Sequence, residues 1–424
     1  MITSQSEMLE VVREAVSALL DRASRINEAQ ERRYWYPLSL ATYGVEEIAE
    51  ALDSMCAFRT SMWEKTSHFE RSLAEFLGSG ETVMVNSGSS ADLLACLAIR
   101  GANAGPASDR NEVLVPVVTW PTHVWAPLMA GFTVKLVDVD PETLNISMED
   151  LREHITDRTC AIFPVHLMGN PCNMDELSSL CQQHDLLLLE DCCEALGSRW
   201  RGQNVGGFGA AGTFSFFFSH HITTMEGGAI WIRDQDLADD LRVLRAHGWL
   251  RNTAKKRRPV SDGLDRRYTF VNWGGNFRPT ELQAGFGIRQ LEKAPQFAER
   301  RATLAKRFFT YIASLEYFTT PKVHDAAEPS WFALPLMISE NAPFTKGEIT
   351  SFLEAQGVEN RPIVAGNLAR QPVAELFPAV FDRTYFGADA VHKNGFYLGL
   401  NPFVTDEMME RLIQLIDRFV RERE

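Results

Sequence analysis

An alternation that runs from about residue 45 to 290 constrains the fold more than any other feature of this chain. Short β-branched or leucine-rich runs occupy 82–86, 112–118, 134–140, 160–166, 186–191, 212–218 and 227–232, each separated from the next by a longer or more polar stretch. Unbroken apolar strands joined by helical crossovers belong in a mainly parallel sheet covered on both faces. Ligands of such sheets sit beyond the carboxyl ends of the strands. The expectation is therefore an α/β protein whose chemistry lies where these runs stop.

The remainder is assigned around that block. Leu9, Val12, Val16 and Leu19 recur at helical spacing and predict an amphipathic helix over about 5–33. An extended arm, Tyr34-Trp35-Tyr36-Pro37-Leu38, follows it. Beyond 290 come a long helical pattern and strand-like segments at 330–338 and 361–366, the mark of a smaller α+β unit. The domains are read as 1–40 (helix and arm), 41–290 (large) and 291–424 (small). Among 424 residues the formal net charge is −14, which argues against nucleic acid or an anionic membrane surface as partner. Seven scattered cysteines without paired spacing argue against a disulfide framework or structural zinc. No stretch reads as a leader or membrane span, so a cytoplasmic location is expected.

Three strand ends carry polar residues. Asn86-Ser87-Gly88-Ser89-Ser90 opens a helix, where free amides and hydroxyls can close on a phosphate, although Ser and Gly serve equally as ordinary caps. The run 186–191 ends in Glu190-Asp191, and a carboxylate there needs a cation or hydrogen-bond donors. The run 212–218 emerges into Ser219-His220-His221, which is either plain polar surface or part of a site; no carboxylate or thiolate stands at metal-ligand spacing beside it.

In this order the motifs resemble those of the DegT/DnrJ/EryC1/StrS sugar aminotransferase family, pyridoxal-phosphate enzymes of fold type I, across about 35–424. The resemblance implies an aspartate-aminotransferase-like large domain with a mainly parallel seven-stranded sheet. It makes Gly88, Ser89 and Ser215 phosphate contacts, Trp120 the aromatic stacked on the cofactor ring, and Asp191 the partner of its pyridine nitrogen. Glu194 stands where relatives often carry Gln and is assigned to the cofactor ring as well. Asn276, in Gly274-Gly275-Asn276-Phe277-Arg278, would reach a neighbouring subunit's site, so a homodimer is expected. His247, Arg251, Arg278 and Arg361 are candidate substrate contacts. A solvated loop is the simpler reading of Lys255-Lys256-Arg257-Arg258.

The departure lies at His220, which stands where the family places a lysine that tethers the cofactor covalently. An imidazole cannot make that imine link, but near neutrality it can take and return a proton. Together with segments 219–228, 245–252, 330–332 and 361–367, this resembles the subgroup of 3-dehydratases acting on nucleotide-linked 4-keto-6-deoxyhexoses. The implied cofactor is non-covalent pyridoxal or pyridoxamine phosphate, with glutamate as amino donor. Ammonia and a 4-keto-3,6-dideoxy sugar would be released. An iron–sulfur branch of that subgroup has four cysteines, whose positions here hold Cys193, Arg251, Thr253 and Ser261; one thiolate cannot hold such a cluster, so none is expected. The rival readings are a transaminase working without the lysine and an inactive sugar- or cofactor-binding relative.

Overall fold

A computed structural model describes residues 5–28, 33–103, 110–252 and 264–424 of the chain. All seven expected runs form strands of one sheet, in the order Glu81–Val85, Gly228–Ile232, Ala211–Ser215, Leu187–Asp191, Thr159–Ile162, Glu112–Pro116, Thr133–Val137. Gly228–Ile232 runs antiparallel to both of its neighbours, and the other ladders are parallel. The exception follows from its connection. Residues 216–227 return the chain directly from Ser215 to Gly228 instead of crossing over through a helix. Apart from Glu81–Val85, each strand is shorter than its sequence run, and 117–118, 138–140, 163–166 and 216–218 continue as loops at the carboxyl edge. The helix Gly88–Asn103 packs one face with Leu94, Ala95 and Ala98, while Phe69, Leu73 and Leu77 of the helix Glu64–Leu77 cover the other.

A second, four-stranded antiparallel sheet is built from Phe318–Thr319, Ala333–Ile338, Gly395–Gly399 and Asn360–Pro362. The helix Glu281–Ile312 bridges the two cores. It puts Ala284, Ile288, Leu291 and Ala294 into the core of the large sheet, and Leu304, Ala305, Phe308 and Ile312 into that of the small one. The boundary read near 290 thus falls inside a continuous helix. The arm also joins the small unit: Tyr36 is fully buried there, and its hydroxyl donates to Gly399 O at 3.0 Å.

The first helix spans Gln5–Glu28, shorter than 5–33. Its apolar stripe is only partly used, for Val16 is buried while Leu19 remains 66 % exposed. The helix Val45–Cys56 lies against it, with Arg13 and Glu46 paired at 2.9 Å.

Candidate active site

The carboxyl edge of the large sheet gathers the predicted residues because register forces it to. Val85 and Ser215 are both paired with Gly228, and Asp191 with Thr213. The loops after three strands therefore start side by side. Ser87 Oγ accepts from the Ser90 amide at 3.1 Å and caps the helix beginning at Gly88. A Cβ on Gly88 would lie 2.6 Å from Ser215 Cβ and 3.2 Å from Cys193 Sγ. Glycine is required there by close approach, and the three segments meet as one wall. Ser89 is exposed, with its Oγ donating to Thr122 Oγ1 at 3.2 Å, and Trp120 leaves 61 % of its surface open.

Behind that wall sits Asp191, buried, with Oδ1 accepting from the Cys193 amide at 2.9 Å. Asp92, also buried, and the Cys193 thiol lie within 4.8 Å of it. Burial, and then the charge of Asp191, push Asp92 well above the usual carboxylate range. Asp92 is thereby held toward its protonated form beside Asp191. Buried polar atoms nearby lack protein partners: Asn86 Oδ1, Asp92 Oδ1, Thr213 Oγ1 and His123 Nε2. Unsatisfied groups are rare in folded interiors, and several around one sheet edge mark a place completed by something bound. A glycine that admits close approach, hydroxyls at a helix start, a buried acid and an open indole suit a phosphorylated, protonated pyridine. Pyridoxal phosphate fits this donor set.

His220 is the residue that decides the chemistry. Its Nδ1 lies 2.6 Å from Cys193 O. A carbonyl oxygen only accepts, so Nδ1 carries the hydrogen and Nε2 keeps its lone pair. Phe332 packs against the ring with centroids 5.3 Å apart. Burial lowers His220 to about 4, against the smaller upward pulls of Cys193 O and Asp191. The imidazole is accordingly neutral at pH 7, an acceptor at Nε2. Glu194 accepts from the Met168 amide at 2.9 Å, and burial raises it to about 7.

Other candidates lie elsewhere. Arg251 and Arg278 line a groove of about 940 Å³ with Trp63, Arg71, Arg242 and Trp249, and none of the cofactor residues named above borders it. Asn276 is exposed, its Oδ1 accepting from Arg278 Nε at 2.9 Å. His247 is exposed at φ +62°, with its amide donating to Gly275 O at 2.8 Å. Arg361 pairs with Glu359 at 2.7 Å, and Glu359 lines a small cavity of about 230 Å³ with Phe217, Ser219, Phe332 and Tyr397 beside the His220 loop. Thr253, Ser261 and Lys255–Arg258 lie outside the described residues.

The strand-end pair divides its work in a way the sequence left open. Glu190 accepts from the amides of Gly206, Phe208 and Gly209, each at 2.8 Å, and faces His166 Nε2 at 3.4 Å. Asp92, His123 and Phe332 are site residues that sequence reasoning passed over. The available signal was a lone carboxylate within the apolar helical run 91–99.

Sheet topology and site together define a protein of the fold-type-I aminotransferase class that binds pyridoxal phosphate. The model of the DegT/DnrJ/EryC1/StrS aminotransferase family matches residues 42–417, and the chain belongs to that family. It is 34 % identical over 388 residues to a GDP-4-keto-6-deoxy-D-mannose 3-dehydratase of Yersinia pseudotuberculosis, covering 90 % of this chain and 98 % of that protein. With the enzyme of the same name from Escherichia coli O55:H7 it shares 36 % identity over 369 residues, 86 % of this chain and 95 % of the relative. A crystal structure of GDP-4-keto-6-deoxymannose-3-dehydratase with a trapped PLP-glutamate geminal diamine superposes with TM-score 0.84 at 33 % identity, covering 90 % of this chain and 99 % of the other.

Proposed function

We propose that this chain is a pyridoxal/pyridoxamine-phosphate-dependent 3-dehydratase of a nucleotide-linked 4-keto-6-deoxyhexose. Glutamate is the amino donor, and the products are a 4-keto-3,6-dideoxy sugar and ammonia. The observation that carries the proposal is the imidazole of His220 at the carboxyl edge of the sheet, with Nδ1 on Cys193 O. When bound, the cofactor supplies an amino group and an electron-accepting ring. Gly88, Ser89 and Ser215 hold its phosphate, Trp120 covers its face, and Asp191 with Glu194 fixes the ring. His220 Nε2 takes up a proton and delivers it to the departing C3 hydroxyl. The resulting imidazolium is steadied by Cys193 O.

The relatives at 34 and 36 % identity, both 3-dehydratases by name, support dehydration over transamination. A histidine at position 220 also leaves no amine there to displace an aminated product. Retention of Asp191, Trp120 and Ser215 supports an active enzyme over an inert binder. The test is incubation with GDP-4-keto-6-deoxymannose and its CDP and dTDP counterparts plus glutamate, read by mass. Release of 2-oxoglutarate, ammonia and a 3-deoxy sugar is expected. An amino sugar, or no turnover with any member of the panel, would overturn the reading.

The site is completed in a homodimer, with Asn276 reaching the neighbouring subunit. Exposed Trp63, Tyr268, Phe270 and Trp273 support this, since so much uncovered aromatic surface is uncommon on a monomer. Among the described residues no helix is long and apolar enough to cross a membrane, which fits the proposed cytoplasmic location.

A further inference from the structure

One charge near the site is not used by the chemistry above. Arg301, on the helix Glu281–Ile312, is 2 % exposed. Among the described residues no carboxylate pairs with it. Its Nη1 donates instead to Trp331 O at 3.3 Å and Phe332 O at 3.1 Å, and its Nε has no partner. A buried guanidinium without a counter-ion is costly to maintain, so its retention calls for an explanation.

The carbonyls it holds belong to a segment fixed from several directions. The Ser330 amide donates to Ser198 Oγ at 2.9 Å, and Ser330 O accepts from His221 Nε2 at 2.7 Å. The Phe332 amide donates to Met168 O at 2.9 Å. A Cβ on Gly169 would lie 2.0 Å from Ser330 O, so the segment is also pressed from below. The product of this clamp is the Phe332 ring, set against His220 at 5.3 Å and against His221 at 6.1 Å.

The charged and titratable groups facing His220 from the elements packed on it are then few. Asp191 lies on the neighbouring strand end, His221 follows in the same loop, and Arg301 comes from the long helix. His221 is neutral, because the Ser330 carbonyl fixes its hydrogen on Nε2 and its Nδ1 is bare and unpartnered. Asp191 favours a protonated His220, and its negative charge is engaged once a pyridinium is bound. Arg301 opposes protonation, and among the described residues no carboxylate pairs with it.

We infer that Arg301 is a positioning residue for His220: its guanidinium holds the Trp331–Phe332 backbone against the imidazole, and its positive charge adds to the effect of burial on that ring. The inference rests on the dehydratase reading for its purpose, but not for its measurement. The experiment is a ¹³C-histidine NMR titration of the ligand-free protein, run on the native chain, Arg301→Gln and Arg301→Lys, with His220→Asn to assign the resonance.

Glutamine keeps donors for the two carbonyls and removes the charge, so the His220 midpoint is expected to rise by about one pH unit. Lysine keeps the charge and should leave the midpoint near the native value. In parallel, the acid limb of the dehydration rate should move to higher pH in Arg301→Gln only. An unchanged His220 midpoint in Arg301→Gln overturns the inference. If Arg301→Gln does not fold, a raised midpoint in Arg301→Lys overturns it equally, because that variant retains the charge. Failure of the native protein to dehydrate any sugar would remove the dehydratase reading while leaving the NMR result standing.

Discussion

His220 shows how one side chain can redirect a shared site. Its Nδ1 is committed to Cys193 O, so the ring cannot turn without breaking a 2.6 Å hydrogen bond, and Nε2 is the only atom left for proton transfer. His220→Asn preserves the size of the group and removes the base. Dehydration should fall by about 10²- to 10⁴-fold, while the cofactor stays bound, as followed by its absorbance after gel filtration. Survival of turnover would place the base elsewhere. The role of His220 was legible in the sequence because it breaks an ordered set of motifs at one position. Its tautomer was not, since that depends on the carbonyl of a residue 27 positions away. Asp92 was hidden for a similar reason: only the packing of the helix Gly88–Asn103 on the sheet brings it within reach of Asp191.

At the scale of elements, the site is a consequence of which strands are neighbours. Gly88 follows, and Ser215 ends, a strand whose last residue pairs with Gly228, and nothing larger than a hydrogen fits between them. Gly88→Ala should therefore displace the turn and weaken cofactor binding by about tenfold or more, measured by titrating pyridoxal phosphate into the apoprotein, with secondary structure retained by circular dichroism. Unchanged affinity would mean that the phosphate is held elsewhere. Apolar runs identified all seven strands of this sheet, because parallel strands buried on both faces have no polar alternation to obscure them. The antiparallel course of Gly228–Ile232 was not evident, since its apolar run resembles the others and only the short return from Ser215 distinguishes it. The exposure of Leu19 was likewise not readable from periodicity, which gives a helix its face but not the neighbour that covers it.

For the whole molecule, buried His123 and His221 and half-buried His220 make stability depend on pH, against an opposite contribution from buried His166, which is raised above its usual value. Burial lowers His123 and His220 to about 4 and holds His221 well below its usual value. An unfolded chain protonates such groups near pH 6.5. Between about pH 6.5 and 4 the unfolded state therefore takes up protons that these three groups refuse in the native state, and their contribution to stability falls as pH falls. Tm should drop over this window, and the drop should be smaller in His123→Asn; an equal drop would assign the effect to other groups. Sedimentation velocity should give a dimer at micromolar concentration, and an active monomer would contradict the role given to Asn276.

The central claim is that position 220 occupies the place from which a lysine would bind the cofactor. It is tested most directly by intact-protein mass after pyridoxal phosphate and borohydride treatment, comparing the native chain with His220→Lys. The native protein should keep its unmodified mass, and the variant should gain one covalently fixed cofactor at residue 220. A native chain that becomes labelled, or a folded variant that does not, would contradict the account.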